Sequence, residues 1–153
     1  MITPTTDAAL LSRLHTECFD EAWSAASFAG LLANTGCFAL ADTAAQAFIL
    51  IQVVEDQSEV LSLGVTPAAR RRGIASYLLL AALAQAAQQG SLTMFLEVDS
   101  RNYPAIALYK KIGFLEMGRR KAYYTTPEGG RSDALTLRTE IRALLVGNRV
   151  QLG

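Results

Sequence analysis

Apolar residues first fall at helical spacing over Leu10, Leu11, Leu14 and Cys18, with Thr6 or Asp7 placed to cap the helix that this spacing predicts. A second, short helix is expected within 19–32, which carries Trp23 and Phe28 and offers Ser24 or Ser27 as its cap. From Gly36 onward the segments 37–41, 47–54 and 57–65 read as strands, with turns at Asp42-Thr43 and Glu55-Asp56, so an antiparallel meander is predicted. After Pro67 the helical period returns. Ile74, Tyr77, Leu78, Ala81, Ala82 and Gln85 form one stripe, and Gly90 stands where a helix C-cap belongs. The short apolar run 92–98, with Glu97 near its end, suits a buried strand. Strand, helix and strand in this order imply a parallel pair joined by a right-handed crossover. Asn102 and Pro104 then open a helix that Gly113 closes, and 114–124 with 134–138 read as a final hairpin around 125–132. The pattern as a whole is that of one α/β domain over 1–153.

Composition narrows the class. With 153 residues, 51% apolar and 18% charged, the chain has enough apolar material for one real core. Its formal net charge of zero gives no global attraction to nucleic acid or to anionic lipid. Cys18 and Cys37 lack metal-ligand spacing and read as thiols in a reducing compartment, so no metal is expected. There is no basic segment followed by an apolar run at the start, and the Ala-rich stretch 74–87 is broken by Ser76, Tyr77 and Gln85, so neither a signal peptide nor a membrane span is expected. A cytoplasmic protein, monomeric or weakly dimeric, is the expectation.

The local exception to this neutrality is Arg70-Arg71-Arg72, within a segment that leaves a strand at Leu63 and enters a helix at Ile74. Such a junction presents unpaired backbone N–H groups at the positive end of a helix dipole, which suits an anion. Gly73 permits close backbone approach, and the small Ala75 keeps the next turn open. A basic helix start without a ligand remains open on spacing alone, because short glycine motifs are weak signals. A nucleic-acid patch fits less well, since no aromatic residues interleave the arginines.

Arg70-x-x-Gly73-x-Ala75 after a Val-x-Pro turn resembles the cofactor motif of the GNAT acetyltransferases. The likeness continues through Leu96-Glu97-Val98, Asn102, Ala105-Ile106-Ala107-Leu108-Tyr109 and Gly113-Phe114, and closes with Arg119-Arg120-Lys121-Ala122-Tyr123-Tyr124 and Asp133-Ala134. Within the family this stretch is most similar to enzymes that acetylate the N-terminal alanine of a small-subunit ribosomal protein. Phe19, Trp23-Ser24 and Phe28 echo the same subgroup upstream. Ala75 replaces a more frequent glycine, and Ala122 stands where the subgroup often carries asparagine. The tail 140–153, with Ile141, Leu144, Leu145 and Val146, has no counterpart.

The resemblance implies a mixed, mostly antiparallel central sheet with a splayed parallel strand pair and helices on both faces. It implies acetyl-CoA as co-substrate, its pantetheine arm bound by the backbone of Leu63 and Val65, and its pyrophosphate held by Arg70, Arg71, Arg72, Gly73, Ile74, Ala75 and Ser76. Asn102 would bond further along the same molecule. Glu97 would be the general base that deprotonates the incoming ammonium, and Tyr109 the general acid for the departing thiolate. A salt-bridged strand-end carboxylate and a core tyrosine are the plainer readings of these two. Trp23, Tyr123 and Tyr124 would wall the acceptor channel, where Asp133 would orient a tyrosine or the peptide, although a turn-end carboxylate is its simpler reading. His15 is expected to be structural. The implied acceptor is a protein N-terminus. A small-molecule amine acetyltransferase, with only Glu17, Asp20, Glu21 and Asp133 near the groove to hold a polyamine, and a silent acyl-CoA-binding module are the alternatives.

Overall fold

The computed structural model describes residues 1–44 and 46–142, so the expectation for the apolar tail beyond 142 falls outside it. Asp7 accepts the Leu10 N–H and starts α1 (Ala8–Cys18), and Ser24 accepts the Ser27 N–H and starts α2 (Ala25–Leu32). These two side chains are therefore the caps among the candidates the sequence offered. The meander follows as β2 (Cys37–Asp42), β3 (Ala47–Val54) and β4 (Gln57–Val65), each antiparallel to the next. An additional strand, β1 (Ile2–Thr5), pairs with β2 through Ile2↔Asp42 to Thr5↔Ala39. Its Pro4 and brief length hide it from pattern reading, and an edge position is where a strand tolerates proline.

A single 3-10 turn at Pro67–Ala69 leads to α3 (Ile74–Gln88), and then come β5 (Thr93–Asp99), α4 (Tyr103–Ile112), β6 (Leu115–Thr125) and β7 (Arg131–Glu140). The seven-stranded sheet runs β1-β2-β3-β4-β5-β7-β6. Among the described residues only β4 and β5 pair in parallel, and the other strand pairs are antiparallel.

Two cores lie on opposite faces. On one, Leu78, Leu79, Ala82 and Leu83 of α3 and Tyr109 and Ile112 of α4 pack with Ile49, Ile51, Met94, Leu96, Leu135 and Leu137. On the other, Leu11 and Leu14 of α1 and Phe28 of α2 pack with Ala39, Ala41, Phe48 and Leu50. Ile141, the first apolar residue of the expected tail, is fully buried in the larger core, and its N–H donates to Leu92 O at 3.0 Å. No helix among the described residues is long and apolar enough to cross a membrane.

The sheet is not closed along its middle. β4 and β5 pair only through Gln57↔Thr93, Ser58↔Met94 and Glu59↔Phe95, although both strands continue well beyond. A bulge sets this divergence: the β3–β4 register shifts between Leu50 and Ile51, leaving Leu61 as the extra residue that bends β4. Buried hydroxyls pin the closed end. Ser91 Oγ donates to Ser58 Oγ at 2.8 Å and also contacts Thr93 O at 3.1 Å.

Candidate active site

The opening between β4 and β5 exposes backbone, and the ladder says which groups. Thr66 N–H donates to Gln46 O at 3.1 Å. Antiparallel alternation then makes Gly64↔Phe48 the next hydrogen-bonded pair and leaves Leu63 and Val65 at positions whose N–H and C=O point away from β3. Those groups face the side from which β5 has departed. The Val65 carbonyl is already engaged, accepting a 2.9 Å hydrogen bond from Arg70 Nε. A polar chain lying in the opening would meet the remaining groups as it would meet the edge of a strand.

At the wide end of the opening the loop turns sharply into α3. Arg71 has φ +67° and Gly73 φ +74°, so two of three consecutive residues hold left-handed backbone. Glycine takes that conformation freely, whereas Arg71 adopts it at a cost. Gly73 caps α3 without a side chain, and the first helical bond is Tyr77 N–H to Gly73 O at 3.3 Å. The N–H groups of Ile74, Ala75 and Ser76 thus lie at a free helix start, with Arg71 and Arg72 exposed beside them. The residue set fits a phosphate-bearing ligand by charge, by donors and by the space a missing Cβ leaves.

Period-two alternation along β5 buries Met94, Leu96 and Val98 in the larger core and turns Phe95, Glu97 and Asp99 to the opposite face. Helices α1 and α2 cover that face only over β2 to β4. Over the rest of the sheet it is open, and a cleft of about 470 Å³ lies there, lined by Gln52, Glu59, Phe95, Glu97, Arg120 and Thr136 among others. Glu97 Oε1 forms an ion pair with Arg120 Nε at 3.1 Å, with 28% and 63% of the two side chains exposed. Solvent screening at that exposure keeps the pair to less than about 1 kcal/mol of stability. The salt-bridged carboxylate of the plainer reading is therefore present, and it is present inside a cleft.

Tyr124 is half-buried beside the same charges. Burial raises its phenol above the ordinary value, and the negative charges of Glu97 and Asp99 push in the same direction. Tyr123, 47% exposed, meets Tyr124 edge-on at 5.1 Å and carries the Arg120 guanidinium at 5.3 Å from its ring centre. Gln52, Glu59, Phe95 and Thr136 were not singled out from sequence, and Arg120 stood only within a family motif, with no role at the site. Alternation along β5 could have paired Phe95 with Glu97; the others arrive through long-range register.

Tyr109 belongs to the other face. It is 8% exposed, packs edge-on against Phe114 at 6.0 Å, and has its phenol pushed up to about 12 by burial. Asn102 caps α4, its Oδ1 accepting the Ala105 N–H at 3.3 Å. Asp133 turns to other partners than a tyrosine: it accepts from Ala122 N–H at 2.9 Å and Arg119 at 2.8 Å, and these hold its carboxyl below the usual carboxylate range. Trp23 stacks on His15 at 4.7 Å and packs against the smaller core. His15 is buried, and its Nδ1 accepts the Trp23 N–H at 3.2 Å, the structural part expected of it.

Residues 8–114 match the model of the Acetyltransferase (GNAT) family. A [Ribosomal protein bS18]-alanine N-acetyltransferase of Salmonella typhimurium is 38% identical over 89 residues, which is 58% of this chain and 60% of that protein. The crystal structure of the ribosomal-protein-S18-alanine N-acetyltransferase from Escherichia coli superposes with a TM-score of 0.80 at 31% identity, covering 92% of this chain and 94% of the other. Arabidopsis thaliana NAA60 in complex with acetyl-CoA shares the fold, with a TM-score of 0.77 at 20% identity over 93% of this chain and 98% of the other.

Proposed function

The chain belongs to the GNAT acetyltransferase family, and on that premise we propose that it moves an acetyl group from acetyl-CoA to the N-terminal α-amine of a protein. The observation that carries this reading is the opening between β4 and β5, with a free helix start at one end and Glu97 on the uncovered face beside it. The S18-alanine N-acetyltransferases of Salmonella and Escherichia point to the acceptor: a small-subunit ribosomal protein beginning with alanine.

In this reading the backbone of Leu63 and Val65 takes the pantetheine arm, and the segment from Arg70 to Ser76 takes the pyrophosphate, with Asn102 further along. Glu97 removes the ammonium proton, directly or through a water, so that the amine can attack the thioester carbonyl. An α-amine titrates near ~8 and a lysine near ~10.4, so a modest base suffices for an N-terminus where lysine asks for more. Tyr109, a phenol already protonated near neutral pH and pushed up further by burial, gives its proton to the departing thiolate. Trp23, Tyr123 and Tyr124 flank the acceptor, with Asp133 setting the backbone between Arg119 and the tyrosine pair. The exposed run of β6 supports an acceptor laid across an open surface in preference to a small amine enclosed in a pocket.

The test is thiol release from acetyl-CoA with a peptide beginning Ala-Arg-Tyr, the same peptide with a blocked amine, a lysine peptide and spermidine. Turnover on the free-amine peptide alone is the expected result. Turnover on spermidine alone would overturn the assignment, and Glu97→Gln should cut kcat on the peptide by on the order of 10²-fold or more.

A further inference from the structure

We propose that Arg120 is a positioning residue for Glu97, an inference that rests on the reading of Glu97 as the base. Strand register brings the two together. Glu97 pairs with Thr136 and Asp99 with Ala134 across β5 and β7, while Thr136 pairs with Gly118 and Ala134 with Arg120 across β7 and β6. All of these residues therefore share the open face. Arg120 lies two strands from Glu97, about 10 Å at ordinary strand spacing. Its arm can cross β7 because its cross-strand partner there, Ala134, carries only a methyl group, and Gly118, two residues before it on β6, carries no side chain to crowd it.

The backbone that delivers Arg120 is itself held in place. β6 loses its regular register between Arg120 and Tyr124, and Ala122 there has φ +54°. Asp133 secures this irregularity through the Ala122 N–H and Arg119, and Arg131 donates to Ala122 O at 3.4 Å. The guanidinium then contacts both the Tyr123 ring and Glu97 Oε1. That contact uses one carboxylate oxygen and leaves Oε2 for the proton to be removed. A glutamate without it would sample several rotamers on an open face. The pair's small worth in stability is no objection, because its consequence is where the carboxylate points.

Steady-state kinetics on the Ala-Arg-Tyr peptide test this with Arg120→Ala, Arg120→Lys, Glu97→Gln and the Glu97→Gln/Arg120→Ala double variant. Arg120→Ala should lower kcat by about tenfold, less than the ~10²-fold that an ångström of misplacement costs. The KM for acetyl-CoA should not move, and Arg120→Lys should recover most of the loss. In the Glu97→Gln background the same substitution should cost less than about twofold, because there is no base left to position. An equal cost in both backgrounds, or a raised acceptor KM with kcat intact, would overturn the proposal. An unchanged kcat in Glu97→Gln would instead overturn the base reading itself, and it is visible before Arg120 is touched.

Discussion

Arg70 Nε donates to the carbonyl oxygen of Val65 at 2.9 Å, so the arginine that opens the loop is fastened to the strand the loop has just left. A charge-assisted bond of this kind sets where Arg71, Arg72 and Gly73 stand relative to β4. Arg70→Ala should raise the KM for acetyl-CoA by about tenfold, in keeping with the loss of one hydrogen bond to a charged group. Its kcat at saturation should change little. A fall in kcat at constant KM would mean that the contact serves the chemical step instead of the anion seat.

Tyr109 offers a clean separation of chemistry from packing. Its ring is held by burial and by Phe114, and phenylalanine keeps that packing. Tyr109→Phe should therefore retain the thermal midpoint to within about 2 °C while kcat drops by on the order of 10²–10⁴-fold. Because burial pushes the phenol up to about 12, the wild-type rate should show no alkaline limb from this group below about pH 11.

Stability should fall as the solution is acidified through the ordinary histidine range. His15 is 3% exposed, and burial holds its pKa below the ordinary histidine value of about 6.5, with the Glu21 charge opposing more weakly. A depressed folded value means that the unfolded chain binds the proton more readily. The contribution is fully present above about pH 6.5 and is lost as pH drops below that value toward the folded pKa. Urea midpoints measured between pH 7.5 and 5.5 should decline for the wild type, and His15→Gln should flatten that decline. An unchanged slope in the variant would show that other groups govern it.

Gly64 faces Cys18, the last residue of α1, across the surface of the sheet. A Cβ there would stand 2.8 Å from Phe48 Cε1 and 2.9 Å from Cys18 Sγ. Phe48 is fully buried and has no room to retreat. Gly64→Ala should cost about 1–3 kcal/mol, seen as a drop of roughly 3–10 °C in thermal midpoint. Adding Cys18→Ala should restore part of it by removing one of the two clashing atoms. Full additivity of the two substitutions would argue against contact as the cause.

What the sequence disclosed follows from how local each signal was. The cap Asn102, the pairs of candidates that included Asp7 and Ser24, and the extents of β3 and β4 are written in consecutive residues, and they were readable. β1 was missed because four residues around Pro4 become a strand only when β2 is there to pair with. The company of Glu97 was missed for the same reason. Arg120 reaches it across β7, a relation set by register between 97, 136 and 118, and no local periodicity encodes that. Asp133 contacts Ala122 and Arg119, in keeping with the simpler reading of a turn-end carboxylate; that it secures an irregular stretch of β6 has no signature in spacing. The divergence of β4 from β5 came from family resemblance, and its physical cause, the extra residue at Leu61, is visible only in the ladder.

Transfer to an α-amine, and not to a side chain, is decided by where the acetyl group ends up. A peptide beginning Ala-Arg-Tyr with one internal lysine would be incubated with acetyl-CoA and the product sequenced by tandem mass spectrometry. A single addition on the N-terminal alanine nitrogen is expected, abolished by blocking that amine and reduced at least about 10²-fold by Glu97→Gln. Acetyl on the lysine side chain, with the α-amine left free, would contradict it.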